Sequence, residues 1–498
     1  MRTVLAIDQG TTGTTCLVLD ERSRVRGRAY SEFAQHYPRP GWVEHDATEI
    51  WDVTLRVARD AIRAAGGEPP AAIGITNQRE TVVAWDRSTG EPVSRAIVWQ
   101  DRRTAPLCRE LREAGLEQWV RERTGLVLDP YFSATKLSWM LENVPEMWER
   151  AAQGNLVAGT IDTWLIWKLT DGAVHATDPT NASRTMLYDI RRQEWNAELL
   201  ELFDVPRHLL PEVRPSSGSF GASARTLFGR EIPIAGVAGD QQAALFGQGC
   251  VSAGQAKSTY GTGAFLLLQT GKDLIPSKRK LITTIACGAR GEPTYALEGS
   301  IFIAGAAVQW LRDGLGIIAS AAETEALARS LDDNDGVYFV PAFVGLGAPH
   351  WNADARGTIV GLTRGSTRKH LVRAALEAMA YATRDVLEAM EADSGVRTLE
   401  LGVDGGASAN DWLMRFQADI LGIPVRRPVV VETTALGAAG LAGMATGIWE
   451  DAEAFLGASD EPARFKPSLD EEERARLVRG WRRAIAATLA WADHDDDA

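Results

Sequence analysis

A chain of 498 residues is longer than one hydrophobic core serves, so at least two domains are expected. With 45% hydrophobic and 24% charged residues the chain is globular and not disordered, and a formal net charge of −13 argues against a broad nucleic-acid surface. No apolar run approaches the roughly 18 residues of a membrane span, and the start is too short in apolar residues for a signal peptide. Cys16, Cys108, Cys250 and Cys287 are scattered without metal or redox spacing, which points to free thiols and a cytoplasmic location. The seven histidines are dispersed and form no zinc motif.

From the N-terminus, Val4–Leu19 reads as an apolar strand, a tight polar turn and a second strand. Gly10 and Gly13 let the turn bend and approach a ligand, and its successive N–H groups make an anion nest. Thr11, Thr12, Thr14 and Thr15 add hydroxyls, and Asp8 at the strand end is placed to face a metal ion. Arg24–Phe33 continues as a strand, and the capping-box spacing Asp46–Glu49 opens a helix that Gly66-Gly67 ends. Ala71–Thr76 is a buried strand stopping at Asn77–Glu80, Thr81–Asp86 resumes it, and Ala96–Trp99 is a strand ending in Gln100–Arg103. Helices are expected over Ala105–Arg123, Ala134–Asn143 and Thr160–Thr170, with a loop at Asp178–Arg184. Ile234–Ala238 breaks at Gly239–Gln242 before a helix over Ala243–Gly247.

Glycines cluster between Gly247 and Gly254, which places a domain boundary there, with residues 1–248 and 249–498 as the two parts. Gln255–Gln269 then repeats the opening plan: strand, Gly-Thr turn at Gly261–Gly263, apolar strand. Two such turns facing each other would clamp a triphosphate. Ile301–Leu311 and His370–Met390 read as helices, and Leu399–Val403 as a strand ending in Asp404–Ser408, with a helix from about Ala409. Leu477, Trp481, Ile485 and Leu489 mark a last amphipathic helix, and Asp493–Asp497 is a solvated acidic tail.

Six polar clusters follow short apolar strands, where open α/β sheets bind ligands. They argue for a nucleotide-using enzyme with a polar co-substrate. The Gly-x4-Gly-Lys-Ser/Thr loop, the His-Arg-Asp loop and a strict Gly-x-Gly-x-x-Gly are all absent, which leaves the actin-like class of paired phosphate turns.

Asp8–Thr12, Thr76–Glu80, Gly239–Gln248, Tyr260–Gly263, Tyr131–Asn143 and Gly357–Leu362 with His370–Glu377 resemble the FGGY carbohydrate kinases, and among them those acting on glycerol. The resemblance spans essentially the whole chain. It implies two actin-like (ribonuclease H-like) α/β domains with a nucleotide cleft between them, and ATP-dependent phosphorylation of glycerol to sn-glycerol 3-phosphate. By that resemblance Arg79, Glu80, Tyr131 and Gln241 would hydrogen-bond the triol, and Trp99 and Phe265 would pack on its carbons. Asp240 would be the base, its alternative being a helix cap. Thr11, Thr12 and Gly13, with Gly261, Thr262 and Gly263, would hold phosphates. Gly305, Gln309, Gly406 and Asn410 would line the adenosine. Asp8 and Asp240 would face Mg²⁺ through water.

Thr15 stands where such kinases often carry an Arg that touches phosphate, so one cationic contact to ATP is missing. The segment Ser223–Glu231 is poor in glycine, and no His lies between Pro211 and Gly239, so control by a sugar bisphosphate or by His phosphorylation is expected to be weak. A homodimer or homotetramer are the assemblies considered. A kinase for another polyol or a ketose, or a non-enzymatic actin-like ATP-binding protein, are the alternatives. Adjacent Arg79 and Glu80 after Thr76–Gln78 argue against the first.

Overall fold

The apolar run Val4–Ile7 forms the middle of β1 (Thr3–Gln9), and all four side chains are fully buried in the computed structural model, which describes residues 1–458 and 460–492. An apolar run without alternation suits a strand covered on both faces. β1 pairs antiparallel with β2 (Gly13–Asp20), and β2 with β3 (Val25–Glu32). On its other edge β1 pairs parallel with β4 (Ala72–Asn77), and β4 parallel with β5 (Ile234–Gly239), giving the order β5-β4-β1-β2-β3.

One face of this sheet, through Leu5, Ile7 and Val18, packs on Ile50, Val57 and Ala61 of α1 (Ala47–Ala64). Asp46 caps that helix, accepting the Thr48 and Glu49 N–H groups at 2.8 and 3.2 Å. Only this half of the capping box forms, because Glu49 accepts the Ala34 N–H instead. α2 (Asp240–Gly247) follows β5 directly.

The second half builds a seven-stranded sheet from β6 (Gln255–Tyr260), β7 (Ala264–Gly271), β8 (Ile282–Cys287), β9 (Pro293–Ile301), β10 (Glu400–Gly405), β11 (Val425–Arg427) and β12 (Ala463–Phe465). Its order is β8-β9-β7-β6-β10-β11-β12. The longer helices of this half are α3 (Arg368–Ser394), α4 (Asp411–Leu421), α5 (Thr433–Ala445) and α6 (Glu471–Ala492). Val372, Met379 and Val386 of α3 and Trp481 of α6 join Leu401 and Val403 in one core. α5 goes the other way: Ala435, Leu436 and Ala439 cover Val4, Ala6, Leu17 and Leu19, the second face of the first sheet. It crosses α2 with the backbones touching. A Cβ on Gly437 would collide with the Ala243 carbonyl oxygen, and one on Gly247 with that of Thr433.

Several expected elements change in detail. The helix expected over Ala105–Arg123 is two, Ala105–Glu113 and Glu117–Thr124, because Gly115 takes a left-handed φ of 78° between them. Ile301–Leu311 is not one helix: Ile301 closes β9, and helix starts only at Gly305. The strand expected over Ala96–Trp99 is just Ala96–Ile97. Within Asp178–Arg184 a turn of helix, Pro179–Ala182, forms on the Asp178 cap. The acidic tail Asp493–Asp497 lies outside the described residues.

Candidate active site

The ends of β1, β4 and β5 are in register, with Gln9 opposite Asn77 and Asn77 opposite Gly239. Tyr260 lies opposite Gly405 in the same way in the second sheet. Each half thus presents a turn and a set of loops at one end.

In the first turn the Gly10 N–H donates to the Gly13 carbonyl at 2.9 Å, leaving Thr11 and Thr12 at the tip. Gly13 is required by packing, since a Cβ would sit 2.7 Å from the Ser31 carbonyl oxygen and 2.8 Å from the Tyr30 ring. The Trp99 indole donates to Thr11 Oγ1 at 2.9 Å, which ties the aromatic wall to the turn. In the second turn the Gly261 N–H donates to the Gly263 carbonyl at 2.8 Å. The Gly305 N–H rests on the Gly261 carbonyl at 3.0 Å, and the Ala304 and Ala306 N–H groups on that of Thr262. A Cβ on Gly305 would lie 2.6 Å from the Gly261 oxygen. Gly261, Thr262, Gly305, Gln309, Gly406 and Asn410 all line one cavity of about 610 Å³, together with Val308 and Leu376. Asn410 also caps α4, accepting the Leu413 N–H at 3.0 Å.

Between the turns lies a buried charge cluster. β4 ends at Asn77, and Glu80 takes a left-handed φ of 57°, with the Thr81 N–H donating to the Arg79 carbonyl at 2.6 Å. On a regular strand Arg79 and Glu80 would face opposite ways. This tight turn, a conformation costing about 1–3 kcal/mol for a residue with a Cβ, is where that alternation is broken. Arg79 reaches Glu298 at 2.6 Å, Asp240 at 3.1 Å and Glu80 at 3.6 Å, and its Nη2 is 3.5 Å from the Tyr131 hydroxyl. Arg184 closes the cluster, at 2.7 Å from Glu80 and 2.9 Å from Glu298. Burial alone would push the Glu298 carboxyl up, but Arg184 and Arg79 hold it down at about 2. Burial raises the Glu80 carboxyl despite both arginines.

Asp240 opens α2: its Oδ1 accepts the Gln241 N–H at 2.7 Å and faces Arg79 Nε, and its side chain is 31% exposed. The cap position is taken by Gly239, so Asp240 is the first residue of the helix and not its cap, and its carboxylate reaches only the Gln241 N–H. Burial, with the charges of Asp240 and Glu432 nearby, raises Asp8 to about 7. The Trp99 and Tyr131 rings meet edge to face at 5.4 Å. Lys136, fully buried, donates to the carbonyls of Pro130, Tyr131 and Phe132 at 2.6, 2.7 and 3.0 Å and so fixes the turn that delivers Tyr131. Phe265 follows the second turn, half-buried, and joins these residues through no hydrogen bond or ring pair among the described residues.

Arg184, Glu298, Lys136 and Lys257 were not among the residues anticipated from the sequence. Glu298 carries the clearest signal, a lone charge in the strand Tyr295-Ala296-Leu297-Glu298-Gly299.

Comparison with known proteins agrees with this geometry. Residues 3–247 match the N-terminal domain, and residues 256–446 the C-terminal domain, of the FGGY family of carbohydrate kinases. The chain is 58% identical over 493 residues to "Glycerol kinase 2" of Thermotoga maritima, covering 99% of each. It is 57% identical over 495 residues to "Glycerol kinase" of Deinococcus radiodurans, again covering 99% of each. Among solved structures, Plasmodium falciparum glycerol kinase with ADP superposes with a TM-score of 0.93, at 37% identity, covering 98% of both chains.

Proposed function

The chain belongs to the FGGY family of carbohydrate kinases, and from that premise we infer that it is an ATP-dependent glycerol kinase making sn-glycerol 3-phosphate. The observation that carries the reading is the junction at the cleft floor, where the Arg79–Glu80 turn and Asp240 meet between two phosphate-type turns.

Arg79 and Tyr131 donate to glycerol oxygens, Glu80 and Asp240 accept from its hydroxyls, and Trp99 with Phe265 cover its carbons. Asp240 orients the acceptor hydroxyl. As the hydroxyl oxygen bonds to the γ-phosphorus, the bond from that phosphorus to the β–γ bridging oxygen breaks and ADP leaves. The hydroxyl proton passes to Asp240 and then to water. In such transfers positioning and charge stabilisation supply most of the acceleration. Thr11, Thr12 and Gly13 hold the phosphates from one side, Gly261, Thr262 and Gly263 from the other. The 610 Å³ cavity takes the adenosine.

Mg²⁺ fits the donors present. No group of three potential ligands forms among the described residues, but Asp8 is pushed up to about 7 by burial and by facing Asp240, so the pair gains from a cation between them. Asp8 and Asp240 would hold it through water, and the ion would neutralise charge on the phosphates. We further propose that 1–248 and 249–498 act as the acceptor and nucleotide halves, in the cytoplasm, as a homodimer or homotetramer. Four buried free thiols, and no helix long and apolar enough to cross a membrane among the described residues, support the location.

The test is ADP release with and without glycerol, against xylulose, ribulose and propanediols. Glycerol is expected to lead in kcat/KM by a wide margin, about 10⁴ where a hydroxyl partner is missing. Faster turnover of a ketopentose would assign the chain to another acceptor.

A further inference from the structure

Lys257 is a buried cation of the cleft that the reading above does not use. Lys257 lies inside β6, fully buried. Its ammonium contacts the Gln241 amide oxygen on α2 and Thr259 Oγ1, the latter at 2.9 Å. It therefore joins the half that holds the acceptor to the half that holds the nucleotide.

An ammonium has three donors and no acceptor. Whatever faces it must accept, so the Gln241 amide is held with its oxygen toward Lys257 and its NH₂ turned away. That NH₂ meets no acceptor among the described residues. Thr259 is held by the same logic: it accepts from Lys257, and its own O–H is left to donate. Thr259 immediately precedes Tyr260 and the Gly261–Gly263 turn.

Resting on the assignment of Gln241 to the acceptor site, we infer that Lys257 is a positioning residue that makes Gln241 a hydrogen-bond donor to the polyol and ties it to the second phosphate turn. Gln241 then offers N–H groups to the acceptor site, while the Asp240 carboxylate, which leaves the same helix start on another side, only accepts. A donor and an acceptor complement two hydroxyls, one through its lone pair and one through its proton. Burial, with Arg79 adding to it, lowers the Lys257 amine to about 8, while Asp404, Asp240 and Glu298 act to keep it charged.

A double-mutant cycle on Lys257→Met and Gln241→Ala tests this. Each single change is expected to raise the glycerol KM about tenfold or more, with a smaller change in kcat. The double variant should match Gln241→Ala to within about twofold, because Lys257 acts through that amide. An additive KM rise, or a lowered Tm with glycerol KM unchanged, overturns the inference. Should Lys257→Met not fold, Gln241→Glu decides. It keeps an oxygen toward Lys257 but offers no N–H to the cleft. A raised glycerol KM at undiminished Tm supports the inference, and an unchanged KM overturns it. A wild-type protein that turned over a ketose and not glycerol would overturn the parent reading instead, and the cycle would then be run on that acceptor.

Discussion

The two halves of the molecule repeat one sheet and use it oppositely. β3-β2-β1-β4-β5 and β9-β7-β6-β10-β11 have the same order and the same senses, two antiparallel pairings followed by two parallel ones. Beyond β4 the first half places Arg79 and Glu80, nearly fully buried and paired. At the end of β10 the second half places Gly405 at a φ of 82°, with Gly406 and Ala407 just beyond, and leaves a cavity. One sheet end concentrates charge and the other keeps volume free. Phosphoryl transfer needs both: fixed charge at the reacting atoms, and room for a large leaving group.

The comparison can be broken at its charged side first. Asp240→Asn keeps the shape but loses basicity, and kcat should fall by about 10²–10⁴ with glycerol affinity much less affected. Single-turnover product formation alongside calorimetric binding measures this; a kcat within a few-fold of wild type would show that Asp240 only partners Arg79 and the Gln241 N–H and is not the base. Glu298→Gln leaves Arg184 with Glu80 alone and Arg79 with Asp240 and the more distant Glu80. Breaking a buried pair costs about 3–5 kcal/mol, so denaturant melts should show a loss of that order. A loss below about 1 kcal/mol would mean the cluster is solvated and not the rigid floor described.

Lys136 sharpens the same side through pH. Burial lowers its ammonium from 10.5 to about 8, so between those values the unfolded chain binds more protons and the native state gains stability as pH rises. Wild type minus Lys136→Met should climb across that window, by up to about 3 kcal/mol. Glycerol KM should rise as the grip on the Tyr131 turn weakens. A flat difference would show that burial does not depress the amine and that it keeps its proton through this window.

The open side is broken by Gly305→Ala, whose Cβ meets the Gly261 oxygen. Overpacking of about 1–3 kcal/mol should raise the ATP KM and leave glycerol binding unchanged. Equal effects on both substrates would show that the halves do not divide the work. The smallest effect is expected from Thr15→Arg. Thr15 lies opposite Asp8 across β1 and β2, so the new cation would face that carboxylate and the phosphates. ATP KM should fall a few-fold, and a rise would place the side chain away from the turn.

Much of this was legible along the chain. The unbroken apolar run of β1, the Asp46 cap and the Asn77–Glu80 break each rest on neighbours in sequence, and each recurs in the structure. The four residues expected around adenosine, Gly305, Gln309, Gly406 and Asn410, share one cavity with Gly261 and Thr262 of the second turn. What stayed hidden depends on distance along the chain. Arg79 and Glu298 are 219 residues apart, and nothing local to either names its partner. A helix start at Ile301 is the expectation because Phe302 and Ile303 carry the apolar run of β9 past its end at Ile301. The split at Gly115 was overlooked because apolar periodicity continues through it.

The return of α5 to the first sheet has a consequence for synthesis. Val4, Ala6, Leu17 and Leu19 are complete within the first twenty residues, yet the helix that covers them ends at Ala445. At about 5–20 residues per second, a ribosome needs roughly 10–40 seconds to go from the end of α2 to the end of α5. Throughout that interval the nascent first sheet carries an apolar face with no permanent cover. A stop codon before Thr433 would therefore release more than an inactive fragment: it would release a sticky one. Part of the cover of the first sheet is thus supplied by a segment made more than 400 residues after the strands it protects.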